Sequence, residues 1–198
     1  MEEFLGGPAS FGQIPSTNTW SATPTLLNPS SRGWTHINST DPLVPPIVNP
    51  NLFTDPFDIE LQVASVKFAR RLATTAPMST RVGAETIPGL AVLPANATDT
   101  QIADWIRETY LTAAHPMGTL AMLPKADGGA VSPKLKVYGL QNVRVADASI
   151  IPIQLATHPQ GTVRLSLCMQ PCCVLSFHVQ IYGIGEKAAD LICQDYGL

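Results

Sequence analysis

A signal for β-structure lies in the stretch Leu135-Lys136-Val137-Tyr138-Gly139-Leu140-Gln141-Asn142-Val143-Arg144-Val145-Ala146-Asp147-Ala148-Ser149-Ile150-Ile151-Pro152. Its runs 135–138 and 143–146 alternate in polarity, which is typical of short β-segments with one covered face. The residues between them, 139–142, include a glycine and an asparagine and favour a turn. The stretch therefore predicts an antiparallel hairpin or bend.

Helical patterns lie on both sides of this stretch. A first helix is predicted to begin at Thr54 or Asp55, with Pro56 in its first turn, and to be closed by Pro77. Its buried face is expected to consist of Phe57, Leu61, Ala64, Phe68 and Leu72.

Two further helices are predicted. One starts at a capping box formed by Thr98 and Gln101 and carries Ile102, Trp105, Ile106 and Tyr110. The other covers 185–192, with Ala188, Leu191 and Ile192 facing inward.

The region before the first helix favours extended chain. Residues 1–30 are rich in Gly, Pro, Ser, Thr and Asn and predict loop, whereas 34–39 alternate as in a half-exposed strand. The prolines of 42–50 then predict an extended loop or edge crossing. Together these elements predict an α+β fold in which an antiparallel sheet is flanked by helices.

Composition excludes several classes of protein. Of 198 residues, 14% are charged and 45% hydrophobic, which argues against charge-driven disorder. A net charge of -3 provides no basic surface for nucleic acid, and no apolar run is long enough for a membrane span, so neither partner is expected. The start, Met1-Glu2-Glu3, is acidic where a signal peptide is basic, and no signal peptide is expected in the chain.

Candidate chemistry lies in two loops of similar sequence. His115-Pro116-Met117-Gly118-Thr119 and His158-Pro159-Gln160-Gly161-Thr162 both have the pattern His-Pro-X-Gly-Thr. Proline restrains the preceding histidine, and glycine permits close backbone approach, so each ring could be held rigidly. A neutral imidazole suits proton abstraction from an alcohol, although a lone loop histidine can equally be structural.

Three segments together resemble a family signature: Ala114–Thr119, Val137–Pro152 and Thr157–Gln160. In order and spacing they resemble the C-terminal region of glucose-methanol-choline (GMC) oxidoreductases, most closely fungal aryl-alcohol oxidases and glucose oxidase-like members. The resemblance covers about residues 24–198 and implies a GMC C-terminal domain after an irregular segment, 1–23. It implies a sheet of the substrate-domain type and the C-terminal part of an FAD-binding α/β layer.

The resemblance implies oxidation of a small-molecule alcohol at its CH–OH group by FAD, with oxygen or a quinone as acceptor. His115 would accept the hydroxyl proton while hydride passes to flavin N5, and His158 would hydrogen-bond the same oxygen. Asp147 and Ala148 would contact the phosphate and ribityl region of FAD. From the residues alone, Asp147 could instead be a turn carboxylate that bonds nearby amides.

The same resemblance implies that Pro159 and Gln160 lie beside the pyrimidine edge of the flavin. The Gly-x-Gly-x-x-Gly element that cradles the FAD pyrophosphate does not occur in the sequence. The chain is therefore interpreted as the C-terminal part of such an enzyme and expected to be inactive alone. The alternative is a truncated, catalytically inactive product.

Residues 163–180 interrupt the family pattern and contain Cys168, Cys172, Cys173 and His178. A metal site is disfavoured because adjacent cysteines without a Cys-x-x-Cys pair lack zinc-ligand spacing, and no metal ligands are assigned. A retained intron is preferred, with disorder and aggregation expected from the insert. A serine or cysteine hydrolase is disfavoured because no Gly-x-Ser-x-Gly elbow occurs.

Two N-glycosylation sequons, Asn38-Ser39-Thr40 and Asn96-Ala97-Thr98, fit a secreted protein, which the family resemblance also implies. A third asparagine, in Asn28-Pro29-Ser30, is disqualified by its proline.

Overall fold

The computed structural model describes residues 20, 22–112, 115–154 and 180–197. These residues form a two-stranded sheet, β1 (Trp34–His36) and β2 (Ile47–Asn49), and three α-helices. The helices are α1 (Pro56–Thr74), α2 (Asp99–Thr109) and α3 (Gln180–Tyr196). Short 3₁₀ turns cover Met78–Thr80, Lys125–Asp127 and Ala148–Ile150. The fold is therefore α+β, as the sequence predicts.

The chain divides into two compact units. The first includes the described residues of Met1–Gly33 and Asn49–Ala113, and the second those of Trp34–Val48 and Ala114–Leu198. The predicted insert, 163–180, lies outside the described residues apart from Gln180, with which α3 begins. Its interpretation as a retained intron stays a prediction.

The start of α1 is fixed by Asp55, one of the two N-cap residues predicted. Its carboxylate accepts a hydrogen bond from the Phe57 amide at 2.9 Å, and Pro56 occupies the first helical position. The helix ends at Thr74, before Pro77.

The predicted buried face of α1 is wrong. Phe57 and Phe68 are each 54% exposed, and Ala64 is exposed, whereas Leu61 and Leu72 are half-buried. The buried side chains are those of Asp58, Ile59, Gln62, Val63 and Val66. The physical reason is the buried carboxylate of Asp58, which accepts backbone hydrogen bonds from Ser30 and Ser31 and so turns its own face of the helix inward.

The core of the first unit joins α1 to α2. Its buried members are Ile59, Val63, Val66, Leu93, Ile102, Ala103 and Ile106. Arg70 of α1 adds a bidentate pair with Glu85 (2.7 and 2.9 Å) and donates to the Leu93 carbonyl at 2.7 Å. These bonds attach the irregular segment before α2 to α1.

The capping box of α2 is present as predicted. The Thr98 hydroxyl accepts from the Gln101 amide at 3.3 Å, and the Gln101 side-chain oxygen accepts from the Thr98 amide at 2.9 Å. Thr98→Ala removes one of these bonds and is expected to lower the free energy of unfolding by about 1 kcal/mol. Urea unfolding followed by circular dichroism measures this. Thr98→Asp, which retains a capping oxygen, should unfold within about 0.5 kcal/mol of the parent, and a loss equal to that of Thr98→Ala would contradict the capping role.

The second unit has its own core of Val131, Leu135, Ile150 and Ala188. The predicted hairpin is present as an antiparallel bridge between Lys136 and Arg144, with Val137 donating to the Val143 carbonyl at 3.0 Å. The two runs are paired by isolated bridges and do not form continuous strands.

Helix α3 is longer than the predicted range 185–192. Ala188 is buried and Leu191 packs on the core as predicted, but Ile192 is 39% exposed. Ile184, one turn before Ala188, packs on the core instead, because residues four apart share a helix face.

The predicted strand at 34–39 is β1, and its partner β2 falls in the segment predicted as extended loop or edge crossing. All three residues of β1 are exposed, so the expected half-covered face is absent from this pair. We call residues 34–49 the ribbon.

Candidate active site

The segment that follows His115 lies against the turn that follows the hairpin. Gly118 donates to the Ala148 carbonyl at 3.4 Å, Leu120 to the Ser149 carbonyl at 3.0 Å, and Met122 to the Ile150 carbonyl at 2.8 Å. These three backbone hydrogen bonds bring together two motifs that are about thirty residues apart in sequence. The His115 loop and the Asp147 turn therefore belong to one local structure.

Gly118 is required for this close approach. Its φ of +85° is a conformation that side chains other than glycine rarely adopt, and an added Cβ would lie 3.1 Å from the Ile151 carbonyl oxygen. The sequence predicts that this glycine permits close backbone contact, and the geometry agrees.

Asp147 caps the 3₁₀ turn Ala148–Ile150. Its Oδ1 accepts from the Ser149 amide at 2.8 Å and from the Ser149 hydroxyl. This is the structural interpretation that the residues alone left open. Both bonds reach Oδ1, so within the described residues Oδ2 is left to accept a hydrogen bond from a hydroxyl group. Contact of Asp147 and Ala148 with a cofactor stays a prediction.

Only part of the predicted site lies within the described residues. His115 is half-buried, and Asp147 and Ala148 are placed as above. His158, Pro159 and Gln160 lie outside the described residues. Proximity of the two imidazole rings therefore stays a prediction.

The described part of the second unit also contains a charged contact that the sequence did not indicate. Asp195 of α3 accepts from Lys136 at 2.5 Å and from Arg144 at 2.6 Å. These hydrogen bonds, from Lys136 and then Arg144, lower the pKa of the Asp195 carboxyl. The contact attaches α3 to the hairpin that precedes the Asp147 turn. Fifty-one residues separate Arg144 from Asp195, so no local pattern could reveal it.

One segment of α3 has the glycine spacing of a dinucleotide-binding loop and has to be checked as a candidate pyrophosphate cradle. Gly183-Ile184-Gly185-Glu186-Lys187-Ala188 has the spacing of the Gly-x-Gly-x-x-Ala form of the dinucleotide motif. It lies inside α3, whereas a phosphate-binding loop must join a strand to a helix N-terminus. This segment is therefore not a pyrophosphate cradle.

Among the described residues, no group of three or more His, Cys, Asp or Glu side chains could hold a metal ion. Of the cysteines and the histidine weighed as zinc ligands, all lie outside the described residues. None of the helices among the described residues combines the length and the hydrophobicity of a membrane span.

The model of the GMC oxidoreductase family matches residues 29–165, and the chain belongs to this family. Glucose oxidase-like protein fsoC of Humicola fuscoatra is 38% identical over 84% of this chain and 25% of its own length. An FAD-dependent oxidoreductase from Chaetomium thermophilum superposes with a TM-score of 0.69 at 33% identity, covering 87% of this chain and 26% of that one.

A fungal aryl-alcohol oxidase superposes with a TM-score of 0.65 at 36% identity, covering 87% of this chain and 25% of the oxidase. These similarities confirm the predicted family, and a glucose oxidase-like protein and an aryl-alcohol oxidase are among the similar proteins. The chain spans about a quarter of the length of these relatives.

Proposed function

We propose that this chain is the C-terminal part of an FAD-dependent oxidoreductase that acts on the CH–OH group of a small-molecule alcohol. The observation that carries the proposal is the backbone pairing of residues 118–122 with 148–150, in a chain that belongs to the GMC family. This pairing holds the His115 loop beside the turn proposed to contact the cofactor.

The described residues fit one part of FAD. Asp147 presents Oδ2 and Ala148 its amide, and neither atom is engaged by another described residue. A carboxylate oxygen suits the hydroxyls of a ribityl chain, and an amide suits a phosphate oxygen. We propose that these two residues, with Pro159 and Gln160, hold the flavin side of FAD. The adenosine side requires a pyrophosphate cradle that this sequence does not contain.

The residues of the chain would divide the acid–base work. His115 accepts the substrate hydroxyl proton, and His158 donates a hydrogen bond to the same oxygen, which orients the carbinol carbon. FAD, when bound, supplies the hydride acceptor at N5. The electron acceptor of the complete enzyme would be oxygen or a quinone.

A second candidate is a catalytically inactive product of the same ancestry. It is favoured by the short coverage of the relatives together with the missing pyrophosphate cradle. The two candidates differ in what the complete reading frame encodes: an active oxidoreductase requires the Gly-x-Gly-x-x-Gly segment upstream.

The first test is flavin retention by the 198-residue chain. After incubation with excess FAD and gel filtration, we expect less than stoichiometric flavin absorbance in the protein peak, because the adenosine side lacks its binding element. A stoichiometric yellow complex would contradict this expectation.

The second test is the role of His115 in the complete reading frame. His115→Ala is expected to lower kcat for alcohol oxidation by about 10²- to 10⁴-fold, because the proton loses its acceptor. His36→Ala, on exposed β1, is the matched control and should leave kcat unchanged. Flavin reduction by alcohol, followed at the flavin absorbance band, provides the measurement. Equal rates for the two variants would exclude His115 as the base.

We further propose that the protein is secreted. The two intact sequons support this assignment, since N-linked glycans are added only to proteins that enter the secretory route.

A further inference from the structure

The sequon asparagines Asn38 and Asn96 are exposed and lie outside regular structure. Asn38 follows β1 in the ribbon, and Asn96 lies in a turn closed by the Ala97 amide, which donates to the Pro94 carbonyl at 3.0 Å. Neither side-chain amide bonds another described residue. By contrast, the Asn51 side chain donates to the Arg32 carbonyl at 3.0 Å. A sugar could therefore be attached at either sequon without breaking a contact in the described chain.

We propose that Asn38 and Asn96 are N-glycan acceptor sites, and that the glycan on Asn38 covers the apolar surface of the ribbon. This inference rests on the proposed secretion. It assigns an N-glycan to each of the two asparagines, and it assigns the glycan on Asn38 the role of covering the ribbon.

The ribbon exposes apolar side chains in the 198-residue chain. Ile37, next to Asn38, is 87% exposed, and Leu43 is 88% exposed. Ile47 and Val48 of β2 are exposed as well. Open strand edges and exposed apolar side chains promote pairing with other chains. A bulky, hydrated glycan beside Ile37 would hinder that pairing sterically and raise the solubility of the chain.

The Asn96 sequon has a different setting, because its third residue, Thr98, is also the N-cap of α2. The Thr98 hydroxyl therefore serves both the sequon and the helix. Substitutions at this position can separate the two roles. Thr98→Ser retains both, Thr98→Asp retains a capping oxygen but removes the sequon, and Thr98→Ala removes both.

The experiment expresses the full 198-residue chain behind a secretory leader in yeast, with intact-mass measurement before and after enzymatic removal of N-glycans. The mass of the chain is measured both in the endoplasmic-reticulum fraction and in the medium. A glycosylated chain that is poorly exported is then still detected. We expect two glycans on the parent and on Thr98→Ser, and one on Asn38→Gln, Asn96→Gln and Thr98→Asp. Asn28, whose sequon is blocked by Pro29, is the internal control and should carry none.

An unmodified Asn38 or Asn96 in leader-directed chain would overturn the corresponding site. Because the leader is supplied, glycan occupancy tests the two sites and not the proposed secretion, so the two assignments fail separately. For the shielding role, Asn38→Gln should aggregate at several-fold lower protein concentration than Asn96→Gln, measured by light scattering. Equal aggregation of these two singly glycosylated variants would overturn it.

Discussion

Replacing Asp58 with alanine should lower the free energy of unfolding by about 3–5 kcal/mol, because it removes two hydrogen bonds to a charged group, each worth about 1.5–3 kcal/mol. The carboxylate is only 1% exposed, and its two oxygens accept from the Ser30 amide at 2.7 Å and the Ser31 amide at 2.8 Å. Alanine would leave both amides without their acceptor and a void beside α1. Urea unfolding followed by circular dichroism measures the loss.

The matched control is Asp104→Ala. Asp104 is also a helical aspartate, but its pair with Arg107 is exposed at both ends. Its loss should cost about 0.5 kcal/mol or less. If Asp58→Ala costs no more than this control, Asp58 does not anchor the segment before β1 to α1.

The same carboxylate makes stability depend on pH. Burial by itself raises the pKa of Asp58, but the hydrogen bonds from Ser31 and Ser30 and the nearby charge of Arg32 outweigh it, so the pKa is lowered. A lowered carboxyl pKa contributes stability that is present above the unfolded-state pKa and is lost as pH falls through the folded-state pKa. Asp58→Asn, which cannot titrate, should therefore lose less stability between pH 5 and about pH 3 than the parent does.

Asp58 also shows why part of the fold could not be predicted from the sequence. The cap of α1 at Asp55 and the capping box of α2 depend on residues within three positions, and both were predicted. The inward face of α1 depends on bonds to amides 27 and 28 residues away, which no helical period reveals. The prediction that placed the large aromatic residues Phe57 and Phe68 in the core therefore assigned the wrong face of α1 to the interior.

The candidate site shows the same division between local and distant signals. The His-Pro-Met-Gly-Thr loop and the Asp-Ala-Ser turn are each evident in the sequence, and the need for a glycine at 118 follows from its pattern. Their backbone pairing joins residues thirty positions apart and required the structure. The contact of Asp195 with Arg144, which attaches α3 to the hairpin, was likewise evident only from the structure.

Gly129→Ala is the second large effect we expect. A Cβ built on Gly129 would lie 1.9 Å from the Leu123 carbonyl oxygen and 2.5 Å from its carbon. These are backbone atoms, so no side-chain rotation can relieve the overlap, and the turn at Lys125–Asp127 must open. Val131, two residues later, is fully buried in the core of the second unit. A displaced Gly129 therefore moves the centre of that core, at a cost of about 3 kcal/mol or more.

Two other glycines, one adjacent to Gly129 and one in the first unit, provide the comparison. Gly128 has a φ of +82° but open space around its Cβ position, so Gly128→Ala should cost only about 1–2 kcal/mol from backbone strain. Gly83 has open space and no positive φ, and its alanine variant should be within about 1 kcal/mol of the parent. Hydrogen exchange at the Val131 amide, which tracks opening of the second unit, should rise in the order Gly83→Ala, Gly128→Ala, Gly129→Ala. If Gly128→Ala exchanges faster than Gly129→Ala, the left-handed backbone conformation at Gly128 limits this turn more than the contact of Gly129 with Leu123 does.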